Sequence, residues 1–406
     1  MKNRAKHPKY HNEEREKMTI GIVIDSYNDR SNGTSMTAFR FAREFVKKGH
    51  EVRIVACNVS KSMSDEEDLK LYPVKQRYIP IVTEVSKKQH MIFGAPDLEV
   101  LQSAVVGCDI VHFYMPFALE IAGMHLCRSL RIPYISAFHV QPQHISYNMN
   151  MNFSWFNTYL FKRFYKHFYR YTHHIHCPSK FIEKELQREN YGGKKYTISN
   201  GFFGGDRVMA DPYEDSFFHI ASVGRFSKEK KQDIIIKAIA KNPYADKIKL
   251  HLHGVGPREK YLKNLCNKLL INKPEFGFID NGALLEKLAK MHLYVHAAKV
   301  ESEAISCLEA ISLGVVPVIA DSETSATVQF ALDPLSLFEV NNVADLSNKI
   351  TYWIEHPKEL LAYKQKYAES ALQYSLDKSI EETLGLYEEA IRDFRDQPAL
   401  FDRINA

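Results

Sequence analysis

The sequence predicts an α/β protein: two doubly wound parallel-sheet domains with a helical C-terminal segment. Three observations carry this reading. At 406 residues the chain is too long for one ordinary core and suits two domains of about 150–200 residues. Short apolar runs rich in Ile and Val alternate with helical patterns, which is the strand–loop–helix–strand unit of a parallel sheet. The alternation breaks at SNGFFGGDRVMADPYEDS (199–216), rich in Gly, Asp and Pro, and then restarts.

The elements follow in order. MKNRAKHPKYHNEEREK (1–17) is charged throughout and has no apolar core of a secretory signal, so a disordered arm is expected. MTIGIVIDSY (18–27) has the pattern of a buried strand, followed by a loop holding Gly33. A helix over 37–48 places Phe41, Phe45 and Val46 on one face, and EVRIVAC is the next strand. Strands are predicted at 109–114 and 133–138, with a helix at 116–130 between them, and a strand end at Cys177 runs into a helix to Gln187. In the second half, 217–226, 248–257, LYVHAA and GVVPVIAD read as strands, and 232–241 and 303–313 as helices. The expected domains are 18–200 and 201–375, with a helical segment, 376–406, crossing back to the first domain.

Composition limits the function. Hydrophobic content of 45% and charged content of 25% are ordinary for a soluble globular protein. No apolar run reaches the roughly 18–20 residues of a membrane-spanning helix. The net charge of +5 is mild: it permits an anionic partner, and nothing in it calls for nucleic acid. The six cysteines are scattered without a CxxC pair, which predicts reduced core thiols rather than a disulfide framework or a zinc site.

In open α/β sheets, ligands sit at the carboxyl ends of strands, and between two such domains the cleft is the expected site. Several residues fall there. Gly33 precedes a helix whose N–H groups suit a phosphate, although a plain turn also explains one glycine. Gly224, Arg225 and Lys230 follow the first strand of the second domain. Two cations at a helix start suit a diphosphate, while the bland reading is a basic surface loop. His139 ends a strand and could exchange a proton or bond a hydroxyl, or be a capped loop residue; His112 has the same two readings. Glu301 and Glu309 stand eight positions apart around the start of the 303–313 helix. Glu309 lies beside Leu308 and Ala310, where a carboxylate needs partners; polyol hydroxyls are suitable, and solvated helix charges are the alternative.

In combination these residues resemble the retaining glycosyltransferases of family four. The match spans roughly residues 18–375. It includes Glu-x7-Glu (Glu301, Glu309), Gly-x-x-Pro-Val within LGVVPVI, G-R-x4-K (Gly224, Arg225, Lys230), a PNG-type hinge at SNG (199–201), a GxGP loop (Gly254, Gly256, Pro257) and an N-terminal glycine loop. The resemblance implies the GT-B architecture of two facing Rossmann-like domains, with donor contacts at Gly33, Gly224, Arg225, Lys230, Gly256, Glu301, Ala304, Ile305 and Glu309. It implies that Arg225 and Lys230 bind the donor diphosphate, Glu301 the sugar hydroxyls and Glu309 the ribose. His139 would lie near the transferred sugar, and neither metal nor cofactor would be needed. The chain departs from the family at Ser302-Glu303-Ala304, where many members have Gly-Phe-Gly, at Lys231 in place of a glycine, and at Met291-His292 in place of Ala-Asp.

WFNTYLFKRFYKHFYRYTHH (155–174) is read as one helix. Lys162, Arg163, Lys166, His167 and Arg170 share one face, and Leu160, Phe161, Phe164, Tyr165 and Phe168 another. That division suits an anionic membrane surface, or a helix with its apolar face in the core. The resulting expectation is a cytoplasmic enzyme, peripheral on the inner face of the cell membrane. It would move a hexose from a nucleotide sugar, UDP-linked, to a lipid such as diacylglycerol or glycosyl-diacylglycerol. A polysaccharide or lipid-linked oligosaccharide precursor is the alternative acceptor; a nucleotide-sugar epimerase and an inactive nucleotide-sugar binder are the alternative classes.

Overall fold

The computed structural model describes residues 16–27, 29, 32–60, 67–78, 80, 83, 92–149, 151–202, 213 and 215–398. The expected arm, apart from Glu16 and Lys17, lies outside the described residues, as do 203–212 and 214 of the linker.

The first sheet holds β1 (Thr19–Val23), β2 (Glu51–Ala56), β3 (Leu69–Pro73), β4 (Ile110–Phe113), β5 (Tyr134–Ala137), β6 (His174–Cys177) and β7 (Lys194–Thr197). All pairs are parallel, in the order β3-β2-β1-β4-β5-β6-β7. Its helices are α1 (Gly33–Lys47), α2 (Leu98–Val105), α3 (Ala118–Leu130), α4 (Pro142–Asn148), α5 (Ser154–His167) and α6 (Lys180–Arg188). The second sheet holds β8 (Phe218–Val223), β9 (Ile248–His253), β10 (Glu275–Gly277), β11 (Leu293–His296), β12 (Val316–Asp321) and β13 (Leu337–Glu339), again all parallel, in the order β10-β9-β8-β11-β12-β13. Around it lie α7 (Gln232–Ala240), α8 (Glu259–Leu269), α9 (Asn281–Ala289), α10 (Ile305–Ser312), α11 (Val343–Glu355) and α12 (Pro357–Ala371); α13 (Leu376–Asp396) closes the described chain.

Parallel strands covered on both faces must be apolar nearly throughout; β4, β5, β6 and β11 are buried at every position. Each sheet has its own core. Five cysteines are buried, Cys57 is half-buried, and all six are free thiols. The first core also contains Ile380, Leu384 and Tyr387 of α13. Tyr387 meets His112 Nδ1 at 2.9 Å, so His112 is a core histidine rather than a cleft residue.

The chain passes between domains twice, side by side. Phe202 N donates to Tyr374 O at 3.3 Å, and Leu376 N to Phe202 O at 3.1 Å. Gly201 has φ +70, and a Cβ there would come within 2.7 Å of Leu376 Cα. Only glycine fits both the left-handed backbone and the close approach.

Three differences from the sequence reading bear on the candidate site residues. α1 starts at Gly33, four residues early, because Asn32 caps it by accepting from the Thr34 and Ser35 amides at 3.1 and 3.4 Å. Gly33 is therefore a helical residue, and two amides expected to be open to a phosphate are taken by Asn32. α5 ends at His167, and Arg170 sits on the 3-10 turn Tyr169–Tyr171 with its guanidinium 5.1 Å from the Tyr171 ring. α10 starts at Ile305 because Ala304 is left-handed, with φ +73.

Candidate active site

Both sheets reverse their strand order once, between β1 and β4 and between β8 and β11. The loops leaving those strands line one cleft of about 1440 Å³ between the domains. Gly33, Gly224, Arg225, Lys230, Glu301, Ala304, Ile305, Glu309 and His139 all reach it.

On the second domain, the loop after β8 interlocks with the loop after β9. Phe226 N donates to Val255 O at 2.8 Å, and Arg258 N to Phe226 O at 2.9 Å. A Cβ at Gly254 would lie 2.0 Å from Gly224 O, and one at Gly256 2.6 Å from Phe226 O. Gly256 thus serves the seating of this loop and stays outside the cleft lining. Lys230 closes the 3-10 turn Lys228–Lys230, and Lys231 behind it takes φ +53, a left-handed position that favours glycine.

Lys230 Nζ is ion-paired with Glu301 Oε2, and His296 Nε2 lies 3.4 Å from the same oxygen. Burial pushes the Glu301 carboxyl up. Lys230, His296 and His144 outweigh it and hold Glu301 ionised, well below the usual carboxylate range. Glu303, 2% exposed, has the opposite balance. Burial raises its carboxyl to about 8, although Ser199 and Asn200 bond it, Asn200 N at 2.9 Å. The extra carboxylate of this chain is thus a neutral acid at pH 7, tied to the hinge strand.

Glu309 does not stand free on its helix. Arg40 Nη2 of α1, in the other domain, donates to Glu309 Oε1 at 2.7 Å, and both side chains are buried. Asn281 Nδ2 lies 3.4 Å from the same oxygen. This overturns the solvated-charge alternative: the partner that burial demands is a guanidinium from across the cleft. Gly33 and Arg40 are seven apart on α1 and so share a face, a spacing legible in the sequence. Arg40, His144, Glu229, Gln141 and Ser302 were all missed there. Ser302 joins the domains: Ser179 Oγ donates to its carbonyl at 2.7 Å, and its own Oγ donates to Gln141 Oε1 at 3.2 Å. These pairs come from segments far apart in the chain, so no local pattern announces them.

His139 is stacked on Tyr114 at 5.3 Å and buried beside His176. Burial, and then the His176 ring, lower its pKa well below 6.5. A neutral imidazole at the cleft wall can bond a hydroxyl or accept a proton; it carries no charge at neutral pH. α10 has no side-chain cap, and Ala304, Ile305 and Ser306 at its start line the cleft, so the positive end of the helix lies at that space. Cations, an uncapped helix start and a carboxylate together suit a diphosphate joined to a polyol.

α5 divides differently from the sequence reading. Leu160, Phe161, Phe164 and Phe168 are buried and belong to the protein interior, so that face does not meet a membrane. Lys162, Arg163, Lys166 and His167 are exposed, and Arg163 and His167 with Leu160 and Phe164 line the cleft. The exposed aromatics are instead Phe153, Trp155 and Tyr159 at the helix start, with Phe153 and Trp155 stacked. No helix among the described residues is long and apolar enough to cross a membrane.

Two facing α/β domains with these groups at their switch points define a GT-B glycosyltransferase. Residues 31–202 match the family "Glycosyltransferase Family 4" and residues 212–371 match "Glycosyl transferases group 1". The chain belongs to the family-four glycosyltransferases and is a hexosyltransferase. It is 24% identical over 325 residues, 75% of this chain and 71% of the relative, to α-monoglucosyldiacylglycerol synthase of Streptococcus pneumoniae. It is 22% identical to a GDP-mannose-dependent α-mannosyltransferase of Mycobacterium tuberculosis, over 93% of this chain and 97% of the relative. Among solved structures, Anabaena HepE in complex with UDP and glucose superposes with TM-score 0.67 at 16% identity, covering 91% of this chain and 98% of its own. The catalytic domain of cholesterol-α-glucosyltransferase from Helicobacter pylori is 55% identical over 40% of this chain and 100% of its own, at TM-score 0.38.

Proposed function

We propose that this enzyme transfers a hexose from a UDP-sugar to the hydroxyl of a membrane lipid, with retention of anomeric configuration. One observation carries the lipid reading. α5 forms part of the cleft wall through Leu160 and Phe164, and the same helix opens outward into exposed Phe153, Trp155, Tyr159, Lys162 and Lys166. An acyl or ring-based lipid can thus reach the reacting centre along an apolar wall while the headgroup surface meets the cations. The S. pneumoniae relative, named for a glucolipid product, and the UDP in HepE support acceptor and donor respectively.

Chemistry is assigned as follows. Arg225, Lys230 and the start of α10 take the charge developing on the departing diphosphate, and no metal is needed there. Glu301 and the amides near Ala304 and Ile305 hold the sugar, and Glu309 the ribose once Arg40 releases it. His139 orients the sugar. In this assignment the acceptor hydroxyl attacks from the leaving-group side, with the donor phosphate accepting the acceptor's proton. The enzyme acts as a peripheral protein on the cytoplasmic face of the membrane.

The test supplies UDP-glucose, UDP-galactose and GDP-mannose with vesicles holding diacylglycerol, glycosyl-diacylglycerol or a sterol, and with soluble saccharides. Mass spectrometry of the lipid extract identifies the product and NMR the anomer. A glycolipid from a UDP donor with α-linkage is expected. Transfer only to saccharides overturns the lipid reading, and an inverted anomer the retaining one.

A further inference from the structure

We infer that β9 and β10 carry a zinc-binding site built from His251, His253 and Glu275, beside the donor loop. His251 and His253 are two apart on β9 and so share a face of the sheet. Glu275 is the register partner of His251 on β10. His251 Nδ1 or Nε2, His253 Nδ1 or Nε2 and a Glu275 oxygen lie within 4.8 Å of one another. A tetrahedral zinc with bonds of about 2.0–2.1 Å separates its ligands by about 3.3 Å, and His251 Nδ1 already lies 3.4 Å from Glu275 Oε2.

The surrounding hydrogen bonds decide which ring nitrogens carry protons. His219 Nε2 is 2.8 Å from the Asp215 carboxylate, an acceptor only, so Nε2 is the protonated nitrogen. His219 Nδ1 is then a lone pair, 2.7 Å from His251 Nε2, which must donate to it. That leaves His251 Nδ1 unprotonated. Likewise His253 Nδ1 lies 3.2 Å from Gly277 O and donates to it, leaving Nε2 unprotonated. His251 Nδ1 and His253 Nε2 are both buried and have no hydrogen-bond partner; the two residues are 0% and 4% exposed. Two bare imidazole lone pairs therefore share one cluster with a carboxylate; Lys287 bonds the carboxylate, while the two ring nitrogens are left without a donor, which calls for a cation. Glu275 Oε2 takes both contacts, the bond from Lys287 and the 3.4 Å approach to His251 Nδ1, so a metal is held either through Oε2 in place of Lys287 or through Oε1 beside it.

Two neutral imidazoles and one carboxylate are a borderline nitrogen–oxygen set that suits zinc, with water in the fourth position. Asp215–His219 and Gly277 O are the outer partners that orient such ligands. Gly277 O also accepts from Gly254 N at 3.1 Å, so the metal ties the ends of β9 and β10 together where the Gly254–Gly256 loop begins. It acts on the shape of that loop and not on the reacting bond.

The test uses tag-free full-length protein stripped with chelator, given one equivalent of zinc chloride and desalted. Metal is measured by mass spectrometry, and cobalt(II) is added in parallel. One zinc per chain and the intense visible absorption of tetrahedral cobalt are expected. Glu275→Gln and His253→Gln should each weaken zinc binding at least tenfold, and zinc should raise the thermal midpoint of the wild type but not of Glu275→Gln. His173→Gln, at the other His–Asp cluster (His173, His174, Asp393), should bind zinc like the wild type. Should His253→Gln fail to fold, Glu275→Gln decides, since its side chain is partly exposed. Wild-type protein that retains no zinc and gives no cobalt spectrum overturns the inference. So does zinc retained unchanged by Glu275→Gln, and so does loss of zinc in His173→Gln alone.

Discussion

Lys230 and Glu301 neutralise each other in the cleft, and each is also the group that a sugar diphosphate would engage. Arg225 on the same loop completes the positive wall. Arg225→Ala and Lys230→Ala are each expected to lower turnover on the order of 10²–10³-fold, because in the proposed assignment they stabilise charge that develops as the diphosphate leaves. Steady-state kinetics checks this; a double variant far less impaired than the product of the two would show that they act as one unit, and near-normal rates in both singles would remove them from the site. Glu303 gives a second residue-scale expectation. Its folded-state pKa, about 8, lies above the ordinary 4.5. The folded state therefore holds a proton that the unfolded chain has lost, and stability falls as pH rises through that window. The contribution is full below about 4.5 and gone above about 8. Glu303→Gln stays neutral and should lose this slope, which is at most about 1.4 kcal/mol per pH unit. Thermal midpoints compared between pH 5 and 9 read it directly, and parallel curves for the two proteins would count against a buried neutral acid.

At the scale of elements, α10 and α5 each carry a consequence. Ala304 is left-handed at the start of α10, a backbone conformation that favours glycine. A left-handed alanine costs about 1–2 kcal/mol, and glycine gives back part of that through its freer unfolded chain. Ala304→Gly should stabilise the protein by roughly 0.5–1 kcal/mol, read from the urea midpoint; destabilisation would mean that the methyl group's packing outweighs the strain. For membrane binding through α5, the outward residues matter and the buried aromatics do not. Lys162 and Lys166 near an anionic surface contribute about 1 kcal/mol each. Changing both to serine should weaken binding to anionic vesicles about 30-fold, and Trp155→Ala should weaken it further. Sedimentation with vesicles at rising salt measures this, because these charges act within a Debye length of about 8–10 Å. Wild-type protein that stays in the supernatant at low salt would leave α5 as a wall of the cleft and nothing more.

At the scale of the molecule, the first domain is completed by a helix from the far end of the chain. Leu376, Ile380, Leu384, Leu386, Tyr387 and Ala390 of α13 are buried in its core. Lys194 bonds both Glu389 and Asp393, and His174 bonds Asp393. Large apolar side chains contribute about 1.5–3 kcal/mol each when buried, so losing five of them removes roughly 10 kcal/mol, comparable with the whole stability of a domain, about 5–15 kcal/mol. A chain ending at Tyr374 should leave the first domain open to protease while the second stays protected. Equal protection of both would show that the first core closes without α13. The same crossing sets the two interdomain segments side by side at Gly201 and Leu376, and the Arg40–Glu309 pair joins the domains across the cleft.

The sequence by itself determined the alternation of strands and helices, the division into two parallel sheets and most of the residues that gather at the cleft. Those signals are local: apolar period, glycine turns, and spacings such as Gly224–Lys230 and Glu301–Glu309 that lie on single strand–loop–helix units. Only the tertiary structure decided what those residues meet. That Glu309 faces Arg40, that Glu303 is neutral, and that the apolar face of α5 is interior depend on burial and on contacts between segments hundreds of residues apart. The bare lone pairs of His251 and His253 belong to the same class. A histidine's free nitrogen is set by the hydrogen bond its other nitrogen makes, and the partners, Asp215 through His219 and Gly277 O, are brought there by the pairing of β8, β9 and β10, which no pattern in a single segment records.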